Sequence, residues 1–457
     1  MKLRMIFCAL IGLLLLATPS TRAAAQNSNN NVIVRDSLGL SNLQVICSAP
    51  LLGLGCTVLE TLDGTIVPNN LFLVSPPAGV SAATLIHKLL NLNVLGLHLL
   101  GIVDGIVDAE PDLLLHVMQS QTAPAGLYDT NPVNYYGTSV WDGYANQPAV
   151  QKINLQSAHS NTAFTATGAG IVAVIDTGVD TTHPVLQGVL QQGHDFTRNQ
   201  NGGSELGDVT QWSMAVVDGA SPPQVNQWAM AVVDSENAST LSQSQYAAFG
   251  HGTMVSGIIH LVAPTAQIMP LKAFHADGTG NLSDVLRAIY YATARGANVL
   301  NMSFDFTTYS SELEQALDYA NSNGVISVAS AGNDGQQVVV YPAGLSNVVM
   351  GVASTTNDDA LSSFSNYGQP PVWVGAPGEG IVTIYPHGTY AAGWGTSFSA
   401  PFVSGTVALM EGMSPGLNQA QAAQAISNAM YISPALGNGR LDAYQAMTAW
   451  CKAIGKC

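Results

Sequence analysis

From Val150 onward the chain alternates short, unbroken apolar runs with longer stretches of helical spacing. IVAVIDTG, QIMPLKAF, ANVLNMSF, GVISVASAGN and NVVMGVAST are the runs, most of them closing on or next to a small or polar residue. Runs without polar alternation fit strands covered on both faces. Leu282 to Arg295, Ser310 to Asn323 and Ser399 to Met413 read as the helices between them. Strand alternating with helix predicts an α/β domain over residues 149–448: a doubly wound, mainly parallel sheet with helices on both faces. Polar residues at the carboxyl ends of such strands are where sites form.

Residues 32–117 have a different texture. NVIVRD alternates like a strand, Ser81 to Leu92 has helical spacing, and IVDAEPDLLLHV reads as a closing strand, which together predict a small α+β module. Residues 118–148 are rich in Gln, Thr, Pro, Gly, Asn and Tyr and read as a linker or an extended arm, and 449–457 as a short tail. Residues 1–25 have the order of a secretory signal peptide: Lys2 and Arg4, an apolar stretch from Met5 to Ala17, then Ala23 to Ala25. The destination expected is extracellular, or periplasmic in a bacterium with two membranes. No membrane span is expected after its removal, because His87, Lys88, Asn91, His98 and Asp104 interrupt the Leu-rich stretch from Leu85 to Val107.

Composition narrows the partners. With 457 residues, 47% of them hydrophobic, the chain can bury a large core. Its 13 Lys and Arg against 29 Asp and Glu give a formal charge of -16, which argues against nucleic acid and against a polybasic membrane contact. Of five cysteines, Cys8 leaves with the signal, and the other four fall as close pairs, Cys47 with Cys56 and Cys451 with Cys457. Two local loops are the favoured connectivity in an oxidising compartment, with free buried thiols as the alternative.

Three strand or helix ends carry the residue types of a nucleophilic hydrolase: Asp176 in AVIDTGVD, His251 in GHGTMVSGII and Ser397 in GTSFSAPFVSG. A serine hydroxyl needs an imidazole to take its proton, and the imidazole needs a carboxylate to fix its tautomer. Singly these residues read as a turn former, a loop histidine and a helix cap. The strings around them resemble the subtilisin-like serine peptidases, or subtilases, over about Trp141 to Ala446. VIDTGVDTTHP, GHGTMVSG, LKAFHADGTGNLSDVLRAIYYA, NVLNMSF, SVASAGNDG, YPAGLSNVVMGVAS, FSNYG, APG and GTSFSAP carry the resemblance, in that order.

The resemblance implies a serine endopeptidase acting on polypeptides through an acyl-enzyme, with Asp176 orienting, His251 as base and then acid, and Ser397 as nucleophile. It implies Asn333 of ASAGN as an oxyanion donor beside the Ser397 N–H. It also implies a substrate-pairing edge at Gly278, Thr279 and Gly280. The opposite wall, usually Ser-Leu-Gly-Gly, is Ser303-Phe304-Asp305-Phe306, so both glycines are replaced. Asp305 near a basic P1 side chain, Phe306 narrowing the pocket, or both turned away are the readings open at this point. No cofactor is expected, and the usual calcium loop after the catalytic histidine is missing from GTMVSGIIHLVAPTAQ, although a calcium site elsewhere is left open. The module at 32–117 resembles the family's propeptide and is expected to template folding and block the cleft, a retained accessory domain being the alternative. A monomeric zymogen is expected. A narrow processing or cyclising peptidase, and an inactive scaffold used for binding, are the competing functions.

One feature lies outside the resemblance. QWSMAVVD at Gln211–Asp218 recurs as QWAMAVVD at Gln227–Asp234, inside an insertion from about Asn199 to Tyr246. Two paired strands are expected there, with a helix as the alternative.

Overall fold

The computed structural model describes residues 30–64, 70–92, 105–115, 124–164, 166–209, 224–225, 230–232 and 244–457. Its centre is an eight-stranded sheet whose order runs Gln200–Gly202, Gly193–Asp195, Gln267–Lys272, Ile171–Asp176, Val299–Met302, Ile326–Ser330, Met350–Thr355, Val374–Pro377. Every neighbouring pair is parallel except Gln200–Gly202 against Gly193–Asp195 at one edge. The apolar runs are continuous because both faces are covered: Val172 and Val174 enter one core, Ala173 and Ile175 the other.

Helices His251–Val262 and Thr396–Met413 cover the first face, and Leu282–Ala294 with Ser311–Ser322 cover the second. Thr396–Met413 runs through the middle of the first core with nearly every residue buried. Its Gly405 lets it approach the neighbouring helix, since a Cβ there would lie 2.6 Å from the Val262 Cβ. This helix begins three residues before the sequence pattern placed it, which puts Ser397 inside the first turn.

The amino-terminal module is a four-stranded sheet in the order Thr57–Thr61, Leu71–Ser75, Val32–Asp36, Ile106–Pro111, with helices Leu40–Ser48 and Ala82–Leu90. Alternation again decides the faces. Val32, Val34, Phe72 and Val74 form the module's own core, whereas Ile33, Leu71 and Leu73 pack into the second core of the large domain. Ion pairs frame this contact, Arg35 with Glu312 and Glu60 with Arg287 at 2.9 Å.

The stretch read as a linker or arm is folded from Pro124 onward. Pro132–Tyr135 and Thr138–Trp141 form a hairpin whose turn, Tyr136-Gly137, has positive φ at both positions, as a type I′ turn requires. Leu127, Val140, Tyr144 and Ala145 join the first core, and the Tyr144 hydroxyl donates to the Gly257 carbonyl at 2.8 Å. The cysteines pair as two local loops, Cys47 with Cys56 and Cys451 with Cys457.

In the insertion, Met230–Val232 of the second repeat pairs with Gln224–Val225 on one side and with Thr389–Gly393 on the other. Both edges of that strand are taken, so the two copies are not each other's partners at these residues, which corrects the expected pairing. The first copy, Gln211–Asp218, lies outside the described residues, as do residues 1–25.

Candidate active site

Asp176 ends its strand, His251 opens the helix His251–Val262, and Ser397 is the second residue of Thr396–Met413. His251 Nδ1 lies 2.8 Å from Asp176 Oδ1, and both side chains are buried. That bond leaves Nε2 as the free face of the ring. Nε2 has no hydrogen-bond partner among the described residues. The Phe398 ring, on the residue after Ser397, packs at 5.4 Å from the imidazole and brings the serine's helix against it. Gly250 allows the sharp entry to the helix: its φ is 88°, and a Cβ would meet the Tyr385 ring at 2.1 Å.

The Ser397 hydroxyl donates to the Ser303 carbonyl at 3.1 Å and is not bonded to the imidazole in this state. The motif GTSFSAP explains the other half of this contact. Pro401, four residues on, has no N–H to give to the Ser397 carbonyl, and the Ser303 hydroxyl donates to that carbonyl instead, at 2.8 Å. Asn301 Nδ2 donates to Ser303 Oγ at 3.0 Å, and Ser404 Oγ donates to Asn301 Oδ1 at 2.8 Å. The nucleophile's turn is therefore tied to the strand Val299–Met302 by a buried polar chain.

Asn333 stands beside this turn. Its Oδ1 accepts from the Thr396 N–H at 2.8 Å and from the Thr396 hydroxyl at 3.1 Å, which orients the amide and leaves the Nδ2 hydrogens for a ligand. Together with the backbone N–H groups of the helix start, this makes a donor-rich rim around Ser397.

The last described strand of the amino-terminal module, Leu114–Leu115, reaches the edge predicted at Gly278, Thr279 and Gly280. Gly280 pairs with Leu115 and Asn281 with Leu114 in an antiparallel ladder. On the opposite wall Ser303, Phe304 and Phe306 are buried, Phe304 packing on Phe274 at 4.9 Å and Phe306 on Tyr341 at 6.4 Å. Of the two residues standing where glycines are usual, Phe306 has turned into the core. Asp305 has not: a Cβ on Gly332 would lie 3.2 Å from its Oδ2, so the carboxylate sits between the two strand ends that flank the serine.

Two buried charges beside the pair escaped the sequence reading. Lys272 faces Asp176 in the parallel register, and Glu205 lies under the start of the His251 helix. A lysine inside the apolar run QIMPLKAF was the visible signal for the first, and nothing in the insertion marked the second.

Among the described residues no group of three or more His, Cys, Asp or Glu is placed to hold a metal ion. The link from Val262 to Gln267 is Ala-Pro-Thr-Ala and carries no carboxylate. Asp359, of the acidic turn at Asn357–Asp359, is engaged by Lys152 at 3.1 Å and Arg440 at 2.9 Å. No helix among the described residues is long and apolar enough to cross a membrane.

The family model described as the Subtilase family matches residues 168–447. A thermophilic serine proteinase of Bacillus sp. (strain AK1) is 33% identical over 293 residues, covering 61% of this chain and 61% of that protein. Thermitase of Thermoactinomyces vulgaris is 34% identical over 297 residues, covering 62% of this chain and 90% of its own. Among solved structures, fervidolysin from Fervidobacterium pennivorans, a keratinolytic enzyme related to subtilisin, has a TM-score of 0.65 at 22% identity, covering 92% of this chain and 61% of its own. A lanthipeptide protease has a TM-score of 0.53 at 21% identity, covering 73% and 99%. These two share the fold. With its matched domain, its parallel sheet and the pairing of Asp176 with His251 beside the helix that carries Ser397, the chain belongs to the subtilase family of serine-type endopeptidases.

Proposed function

We propose that the chain is a secreted serine endopeptidase, made as a zymogen, in which Asp176, His251 and Ser397 are the catalytic triad. The observation that carries this reading is the 2.8 Å bond from His251 Nδ1 to Asp176, with Nε2 left unpartnered on a ring that packs against Phe398, the neighbour of Ser397. Asp176 holds the ring in the tautomer whose Nε2 accepts a proton. Ser397 gives its proton to Nε2 as its oxygen adds to the peptide carbonyl. The Asn333 amide and the Ser397 N–H receive the oxyanion, aided by the positive end of the helix dipole. Collapse passes the proton from His251 to the leaving amine and leaves an acyl-enzyme. Water, deprotonated by His251, then hydrolyses the ester.

The amino-terminal module supports the zymogen reading. Its last described strand occupies the Gly280–Asn281 edge that an extended substrate would pair with. Its Asp112 accepts from the N–H and hydroxyl of Ser283 at the start of Leu282–Ala294, and its Glu110 accepts from Ser310 and Ser311 at the start of Ser311–Ser322. Residues 1–25 have the pattern of a secretory leader, which supports export. A narrower specificity is favoured by one observation, the Asp305 carboxylate between the strand ends.

The test is expression of the full chain with Ser397 and with Ser397→Ala. Trimming of the amino-terminal module, covalent labelling by a fluorophosphonate probe and turnover of unfolded casein are expected of the first alone. A wild-type chain that neither trims itself nor labels overturns the reading.

A further inference from the structure

Glu205 is a fully buried acid with no part in the reaction just described. One of its oxygens, Oε2, accepts from the Gly250 N–H at 2.8 Å and from the Thr177 hydroxyl at 3.1 Å. Its other oxygen, Oε1, accepts from the Thr253 hydroxyl. The Thr177 oxygen in turn accepts from the Gly252 N–H at 3.1 Å, and the Thr253 oxygen from the Asp180 N–H at 2.7 Å. Thr177 follows Asp176, and Gly250 and Gly252 flank His251. One carboxylate therefore binds both segments that carry the acid and the base.

We propose that Glu205 is a positioning residue of the catalytic pair, fixing the strand end that bears Asp176 against the helix start that bears His251. The inference rests on the triad reading given above.

Several neighbours favour the charged form, against the cost of burial. The open N–H groups of the helix start give the carboxylate the positive end of the dipole. Lys272 supplies a buried cation, its Nζ donating at 2.7 Å to the Thr177 carbonyl, the Phe274 carbonyl and Asp208 Oδ2. Asp208 is bridged by Arg198 to Asp195, so an ionic chain holds the loop on which Glu205 rides. Burial still pushes the Glu205 carboxyl up to about 7 and the Lys272 ammonium down to about 8, which marks how strongly the two are desolvated. Glycines permit the approach: a Cβ on Gly178 would come within 3.0 Å of the Glu205 N and 2.9 Å of the Gly203 carbonyl.

Proton transfer is sensitive to small displacements, about 10²-fold for 1 Å. Glu205 also belongs to the stretch from Asn199 that the sequence set apart as an insertion. Its first limb is thus part of the catalytic framework, not an ornament beside it.

The test compares the full chain with Glu205→Gln, Thr177→Val and Thr177→Ser. Three readouts are taken: kcat and KM per fluorophosphonate-titrated site, the thermal midpoint, and the far-downfield proton resonance of the His251–Asp176 bond. Glutamine puts an amide NH₂ against donors, and valine removes the hydroxyl that joins Glu205 to Gly252. For both we expect kcat lower by roughly 10- to 100-fold, KM within about twofold, and a shifted or broadened resonance, with Thr177→Ser restoring kcat and the resonance. If Glu205→Gln does not fold, the Thr177 pair decides. Variants that lose thermal stability but keep kcat and the resonance overturn the inference and leave Glu205 a purely structural residue. A wild-type chain that fails to label refutes the peptidase reading instead; the resonance reports the geometry of the pair without turnover and decides the inference even then.

Discussion

The carboxylate of Asp112 receives both the backbone N–H and the hydroxyl of Ser283, at 3.0 and 2.9 Å. An acid from the amino-terminal module thus caps a helix of the catalytic domain, next to the edge where Leu114–Leu115 pairs with Gly280–Asn281. Asp112→Ala removes this cap and is expected to weaken the module's hold by about 1–2 kcal/mol, roughly 5- to 30-fold. The lag before activity appears in the purified full chain should shorten accordingly, with Asp112→Asn intermediate. An unchanged lag in Asp112→Ala would show that the cap does not hold the module.

Glu110, two residues earlier, accepts from Ser310 and Ser311 and faces Asp108 and Glu312. Burial, and then those neighbouring carboxylates, push its carboxyl up to about 7 from an ordinary 4.5. Docking therefore takes up a proton. The contribution of Glu110 to docking is fully present below about pH 4.5 and is lost as pH rises through about 7. Release of the module is expected to be faster at about pH 8 than at about pH 5.5, and Glu110→Gln should flatten that difference. Release rates followed by loss of the module on size-exclusion chromatography are the measurement.

Asp305 places a carboxylate where small residues are usual, its Oδ2 beside Gly332. Peptides with Lys or Arg at P1 are expected to be cleaved with higher kcat/KM than those with Leu or Phe. Asp305→Asn should lower the basic substrates by roughly tenfold or more while sparing the apolar ones. A P1 panel in which both variants treat Lys and Leu alike rejects this role.

His260 is buried in the helix that His251 opens, and neither of its ring nitrogens has a hydrogen-bond partner among the described residues. Burial, reinforced by nearby His183, lowers it to about 4 from 6.5. The folded state holds the neutral ring while the unfolded chain protonates near 6.5. The stability this provides is complete above 6.5 and is lost as pH falls through about 4. His260→Leu should therefore move the midpoint of acid unfolding to lower pH, read by circular dichroism; a midpoint that stays or rises contradicts this assignment.

The fold was legible because parallel strands leave a strong trace: Ile171–Asp176 and Met350–Thr355 are buried on both faces and carry no polar side chain before their carboxyl ends. The end of the first strand showed Asp176, the glycines around His251 and Ser397 showed where helices begin, and Asn333, three residues past Ile326–Ser330, was legible only through the resemblance that ASAGN carries. The stretch 124–148 was read as an arm because its core contacts are few and scattered, Leu127, Val140 and Tyr144 among polar neighbours, too sparse to set a period. The second repeat could not be placed from sequence because its partner, Thr389–Gly393, is more than 150 positions away and pairs through backbone groups that carry no residue signature.

What the sequence determined by itself was the class of domain and the residue types at each strand and helix end, since these follow from periodicity, glycine and proline within a few neighbouring positions. The tertiary structure alone decided that Phe306 turns inward while Asp305 faces Gly332, that Ser303 answers the carbonyl Pro401 leaves open, and that Glu205 reaches both sides of the acid–base pair. These are contacts between distant segments, set by how the helices and strands pack, and a hydrogen bond across 45 or 94 positions leaves no mark on the local pattern of either residue.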